Sequence, residues 1–161
     1  MAKKTIHHMD FESLVGINRE VASLTREEHE FSPADGRKLR SLLKEVEQRS
    51  GNEGFDDAVA EKAALLVYDI ARGQYFRAGN KRTALVAGLA FLSKNGKSIN
   101  IKDPGFVETV DKAGIAAADL EDLLVVITKL QKKSKQNRKS WDSLVKALVE
   151  DNREFLTKLA S

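Results

Sequence analysis

The chain has 161 residues, of which 42% are hydrophobic and 32% charged, with a formal net charge of +3. That is the length of one domain with a core large enough to stand without disulfides or a structural metal. With no cysteine and only His7, His8 and His29, a disulfide scaffold, a thiolate zinc centre, an iron–sulfur cluster and a cysteine nucleophile are excluded.

No apolar run approaches the length of a membrane span. The start, Met1-Ala2-Lys3-Lys4, runs into polar residues rather than an apolar signal core, so a cytoplasmic protein is expected. The positive charge is local. Residues 132–139 read K-K-S-K-Q-N-R-K, with five cations and no acid, and taking those five from the net +3 leaves −2 for the rest. No aromatic residue is interleaved with these charges, so the segment reads as a solvated basic linker and nucleic acid is not an expected partner.

Helix signals dominate the whole length. Asp10 caps a first helix carrying Phe11, Leu14, Val15, Ile17 and Val21. A polar stretch from Thr25 to Glu30 breaks it. Ser32 as N-cap, Pro33 in the first turn and Asp35 three residues after the cap start a second helix, which runs to about Arg49. Ser50-Gly51-Asn52-Glu53-Gly54 reads as a turn. A third helix covers about Asp56 to Arg72, with Asp56 and Asp57 as capping candidates and Gly73 placed to take the left-handed position that ends it.

The next helix, about residues 80–95, is apolar all round through Ala84-Leu85-Val86-Ala87-Gly88-Leu89-Ala90-Phe91-Leu92, so it must be enclosed by other elements. Gly96 closes it. Residues 97–102 read as a short extended segment. Asp103-Pro104 opens a helix that Gly114 ends, and Asp119 caps another through Leu130. The last segment, 140–161, is an amphipathic helix with Trp141, Leu144, Val145, Leu148, Val149, Phe155, Leu156 and Leu159 at helical spacing. Three fates are open to it: packing back, pairing with a second copy as a dimer, or covering a site. The expected fold is all-α, a compact helical bundle around a buried central helix.

One loop feeds straight into that central helix: Gly79-Asn80-Lys81-Arg82. A helix N-terminus presents unpaired N–H groups and partial positive charge. Gly79 admits a ligand to the backbone, Asn80 can donate from its amide, and Lys81 and Arg82 add full charges, Arg82 with bidentate geometry. These four residues make a candidate phosphate site. The alternative is that Asn80 caps the helix while Lys81 and Arg82 face water.

The run Ile70-Ala71-Arg72-Gly73-Gln74-Tyr75-Phe76-Arg77-Ala78-Gly79-Asn80-Lys81-Arg82-Thr83-Ala84-Leu85, followed by Phe91-Leu92 and Asn95-Gly96, resembles the signature of the Fic/Doc family, His-x-Phe-x-(Asp/Glu)-(Gly/Ala)-Asn-(Gly/Lys)-Arg. Lysine at position 81 brings it nearest the Doc (death-on-curing) branch. The resemblance extends over about residues 8–131, and with it the chain divides into a Fic/Doc-like domain (8–131), a basic linker (132–139) and a C-terminal helix (140–161). It implies transfer of AMP or phosphate from a nucleotide such as ATP to a hydroxyl of a target protein, and it brings in a protein partner or companion antitoxin. It gives Gly79, Asn80, Lys81 and Arg82 the phosphate-binding role and makes Phe76 a core anchor.

Two positions depart from the pattern. The family's general base is histidine; here it is Gln74, whose amide has no useful basicity. The family's acidic magnesium ligand is here Ala78, which offers no oxygen, so magnesium binding is not expected. Tyr75 and Arg77 are accessory candidates: a phenol as a weak base, a guanidinium as a substitute for some of the metal's charge. His7 and His8 would reach the site only if the N-terminus folded over it. The family's inhibitory motif, Ser/Thr-x-x-x-Glu-(Gly/Asn), is absent. Ser23 and Glu27 have the spacing but Glu28 follows, and Ser41 and Glu45 are followed by Val46. The expectation is a degenerate member that binds a nucleotide or a protein, inactive or strongly impaired in transfer, with an active transferase of variant chemistry as the alternative.

Overall fold

The structure, a computed structural model, describes residues 4–49 and 54–159. Eight helices and one pair of two-residue strands make up its regular structure among those residues: α1 (Phe11–Leu24), α2 (Pro33–Gln48), α3 (Phe55–Gly73), α4 (Asn80–Lys94), β1 (Lys97–Ser98), α5 (Pro104–Gly114), α6 (Leu120–Leu130), β2 (Lys132–Lys133), α7 (Trp141–Asp151) and α8 (Arg153–Lys158). The fold is all-α, as the sequence predicts. No helix among the described residues is long and apolar enough to cross a membrane.

The local chemistry that starts these helices is the chemistry written in the sequence. Asp10 accepts from the Ser13 N–H, Ser32 from Asp35, and Asp119 from Asp122, whose carboxylate returns the bond to the Asp119 N–H. Each satisfies N–H groups that the first helical turn leaves without carbonyls. The turn expected over residues 50–54 lies, apart from Gly54, outside the described residues. Gly54, not Asp56 or Asp57, holds the N-cap position of α3.

Helix α4 is the axis of the molecule. Every residue from Arg82 to Leu92 is buried, and α1, α3, α5 and α7 surround it. The closest approach is to α3: a Cβ on Gly88 would stand 2.5 Å from Val67 Cγ2. The glycine is there because the two helices leave no room for a methyl group.

Three local expectations change. Gly73 does not take the left-handed position; Gln74 does, at φ 52°. Gly73 is required for a different reason, since the Tyr75 ring folds over it and a Cβ would come within 2.3 Å of that ring. The C-terminal amphipathic run is two helices, with Asn152 between α7 and α8 turning its Nδ2 onto the Leu148 carbonyl at 2.8 Å. Its apolar face packs back on α1 and α4, burying Leu144, Val145, Val149 and Leu156. Residues 132–139 also lie on the body: β2 pairs antiparallel with β1, Ser134 N–H donates to Gly96 O at 2.9 Å, and Asn137 N–H to Ser93 O at 3.0 Å.

Candidate functional site at the N-terminus of the central helix

The loop between α3 and α4 is shaped by Asn80. Its Oδ1 accepts from the Phe76 N–H at 3.0 Å and its Nδ2 donates to the Phe76 carbonyl at 2.8 Å. A side-chain amide used in this way closes the loop into a ring and carries Phe76 into the core, 4% exposed. Gly79 then holds the N-cap position at φ 76°, a left-handed conformation open to glycine at little cost. No side chain caps α4, and its first turn contains no acid. The first backbone bond of the helix is Thr83 N–H to Gly79 O, at 2.8 Å. The N–H groups ahead of it lack helical acceptors and lie at the positive end of the helix dipole.

A cavity of about 300 Å³ opens on this end. Gln74, Gly79, Asn80, Lys81, Asp111 and Ile115 are among its lining residues. Lys81 Nζ lies 3.0 Å from Asp111 Oδ1 on α5. The ion pair is half open, because the Lys81 side chain is 13% exposed and that of Asp111 65%. An anion entering the cavity would compete with a largely hydrated carboxylate for the ammonium.

Arg82 is placed elsewhere. It points across α4 to the C-terminal end of α8, where its Nε donates to Leu156 O at 2.7 Å and a terminal nitrogen donates to Leu159 O. Its other terminal nitrogen is 3.3 Å from Glu27 Oε1. With 4% exposure and these three acceptors, the guanidinium fastens α8 and the α1–α2 connection to the central helix. Glu27, one half of the incomplete Ser23/Glu27 spacing, is thus brought to the motif arginine by the fold.

Gln74 and Ala78 have local jobs. Gln74 Nε2 donates to Ala71 O at 2.7 Å, satisfying a carbonyl at the end of α3. Ala78 contributes its carbonyl, which accepts from Asn18 Nδ2 at 2.9 Å. Tyr75 is buried and donates its hydroxyl to Asp69 Oδ2 at 2.8 Å. Burial, then that bond and the charge of Asp69, push its pKa above the phenol's ordinary 10, so it stays protonated and is no base. Arg77 is exposed and pairs with Glu28 and Glu30 at 2.7 and 2.8 Å, pairs that raise its pKa further and keep it charged.

The magnesium ion that the family pattern implies does not fit these residues. Ala78 has no ligand atom, Asp111 faces an ammonium, and no cluster of three His, Asp or Glu side chains suited to a metal occurs among the described residues. His7 is tied to the opposite end of α4, its N–H donating to Asn95 Oδ1 at 2.7 Å.

Several residues of this region carry no motif signal in the sequence. Asn18 on α1 is fully buried and donates to both Ala78 O and Thr83 Oγ1, which leaves its Oδ1 to accept from His29 Nδ1 at 2.6 Å. This network assigns the proton of His29 to Nδ1 and the lone pair to Nε2. His29 lines a wide groove with Gln74, Tyr75, Phe76 and Arg77, two of which, Gln74 and Arg77, also line the cavity. Burial first, and Arg19 second, lower its pKa and keep the ring neutral. Asp111 and Ile115 come from α5 and the residue after it, about thirty positions beyond the motif. Only the packing of α5 against α4 brings them to it.

Neither a curated protein nor a solved structure matches the chain. A family model described as the Fic/DOC family matches residues 3–92, more than half of the chain's 161 residues. That span holds α1 to α3, the loop and most of α4, but not α5, which brings Asp111 to the cavity. The chain is therefore a member of the Fic/DOC family.

Proposed function

We propose that this protein is an anion-binding module of its family, taking a nucleotide or another phosphate-bearing ligand, in which the family's transfer of AMP or phosphate to a protein hydroxyl is lost or strongly impaired. The observation that carries this reading is the unequal fate of the loop. The uncapped N-terminus of α4 opens into a cavity with Lys81 beside it, while Gln74 has its amide on a backbone carbonyl and Ala78 has no ligand atom. Phosphate binding needs only the first set of groups. Transfer needs a base, whose loss typically costs about 10² to 10⁴ in rate, and neutralisation of the phosphate charge, on which such reactions largely rest.

Calorimetric titration of ATP with and without magnesium tests the reading. The expected result is micromolar binding that magnesium does not alter, weakened about tenfold in Lys81→Ala by loss of one charge-assisted contact. No binding in either condition would overturn it and leave protein recognition, an antitoxin-like partner included, as the role of the fold.

A second reading, a transferase of variant chemistry, is favoured by one observation: His29, whose Nδ1 is taken up by Asn18 so that Nε2 keeps its lone pair, lines the same groove as Gln74. Incubation with labelled ATP and candidate protein acceptors separates the two. Covalent label that disappears in His29→Ala would establish the transferase; no label under conditions where ATP binds supports the binding module.

A further inference from the structure

The opposite end of α4 gathers cations that are far apart in the sequence. Lys4 from the N-terminal segment, Lys97 from β1 and Lys133 from β2 line a cavity of about 330 Å³, together with Asp56 in the first turn of α3. Lys97 has a side chain only 6% exposed, with Nζ 2.7 Å from Asp56 Oδ1. Among the described residues, Asp56 is the only carboxylate lining the cavity. Its pKa is held below the ordinary carboxylate value, first by the hydrogen bond from Lys97, which together with the charges of Lys97, Lys133 and Lys4 outweighs the opposing cost of burial. One carboxylate neutralises one of these ammonium groups, so the cavity keeps an excess of positive charge.

The basic run extends this field beyond the cavity. Residues 132–139 are fixed to the end of α4 through the β1–β2 pair, the Ser134 and Asn137 backbone bonds, and Lys94 Nζ on the Lys139 carbonyl. Lys133, Lys135, Arg138 and Lys139 are exposed, and none is in an ion pair among the described residues. A cationic run held at fixed spacing loses less entropy on meeting a regularly spaced polyanion than a free tail would. It has neither aromatic residues for base stacking nor an exposed large hydrophobic side chain for insertion into lipid.

We propose that the pole formed by Lys4, Lys97 and the pinned 132–139 strap binds the phosphodiester backbone of a nucleic acid, with one phosphate seated in the cavity beside Lys97. The contacts are to backbone phosphates, so binding is independent of base sequence and falls steeply with salt, each released counterion adding to the slope. The site lies at the other end of α4 from the cavity of the proposed nucleotide site and does not depend on it.

Fluorescence anisotropy with a labelled 20-nucleotide single strand and the matching duplex, in roughly 50 to 200 mM salt, tests the proposal. The expected result is saturable binding at the low-salt end, with log affinity falling linearly against log salt. The surface variant Lys133→Glu/Lys135→Glu should lose at least about tenfold in affinity and show a slope shallower by about 0.7 per contact on the single strand. The charge-matched variant Arg37→Glu/Lys38→Glu on α2, and Lys81→Ala at the other end of α4, should each change affinity less than about threefold. Circular dichroism of each variant checks that the fold is retained.

No binding at low salt would overturn the proposal. So would equal loss in the charge-matched variant, which would make the effect one of net charge. Inorganic phosphate titrated alone separates the sources of the anion. Phosphate binding abolished by Lys133→Glu without any oligonucleotide binding would assign the cavity to free phosphate and overturn the nucleic-acid partner.

Discussion

Asn80 ties both ends of its amide to the backbone of Phe76, four residues upstream. Replacing it with alanine leaves a buried donor and a buried acceptor on Phe76 without partners, at about 1–3 kcal/mol for each such group. Asn80→Ala should therefore lower the urea midpoint with an unchanged slope, and a midpoint within error of the parent would show that the loop holds without the clamp. The two partly buried imidazoles make an independent prediction. His8 and His29 are both held below the ordinary 6.5, by burial first in each case, and then by Lys62 for His8 and Arg19 for His29. Their lowered pKa values mean that the unfolded chain takes up these protons before the native one as pH falls. Stability is thus undiminished above 6.5 and declines as pH drops from 6.5 through the lowered folded values. His29→Gln keeps a donor for Asn18 and removes the titration, so thermal unfolding between pH 7.5 and 5 should show a flatter decline than the parent. An unchanged profile would place the acid sensitivity elsewhere.

At the scale of elements, helices that start on their own sequence signals are joined by side chains reaching across the fold. Lys62, 2% exposed on α3, donates to Val46 O and Glu47 O at 2.7 and 2.8 Å and so completes the C-terminal end of α2. Arg82 does the same for α8. Arg82→Ala should leave α4 intact and release α8. Hydrogen exchange should then lose protection in residues 153–158, while α3 and α4 amides stay protected; retained protection in α8 would show that the apolar contacts of Leu156 suffice. The α3–α4 crossing gives a sharper test. Gly88→Ala inserts a methyl group 2.5 Å from Val67 Cγ2, and overpacking of this kind costs about 1–3 kcal/mol. The gain in helix propensity, about 1 kcal/mol, offsets part of that. Net destabilisation by chemical denaturation is the expected sign, and the added change Val67→Ala should relieve the clash with the inserted methyl group while leaving the cost of its own truncation.

For the molecule as a whole, the C-terminal segment packs on helices that precede it, α1 and α4. Leu144, Val145, Val149 and Leu156 are each 4% exposed or less, and burial of such a side chain contributes about 1.5–3 kcal/mol. Their sum is comparable with the whole stability of a small domain, about 5–15 kcal/mol. A chain ending at Ser140 should therefore lose its cooperative thermal transition, or show it many degrees lower; an unchanged transition would show that the chain up to Ser140 carries the core alone. The same segment supplies the carbonyls that hold Arg82, so the motif arginine and the chain's last helix are linked through the fold.

Most of the architecture was legible in the sequence because its causes are local. Asp10, Ser32 and Asp119 cap their own helices within three residues, and the unbroken apolar run of α4 can be satisfied only at the centre of a bundle. The motif was legible for the same reason, since Gly79, Asn80 and Lys81 sit on one loop and one turn. The partners were not. Nothing local to Arg82 says that the carbonyls of Leu156 and Leu159 and the carboxylate of Glu27 will take its donors. Nothing in residues 132–139 says that they will be pinned beside Lys4 and Lys97. Nor does spacing place Asn18 and His29 behind Ala78. Sequence alone determined where helices begin, which faces are apolar and which family signature the chain bears, because each depends on neighbours within a turn or two. Tertiary structure decided which charges meet and which are left open, because a long side chain reaches acceptors that only packing brings within a few ångströms.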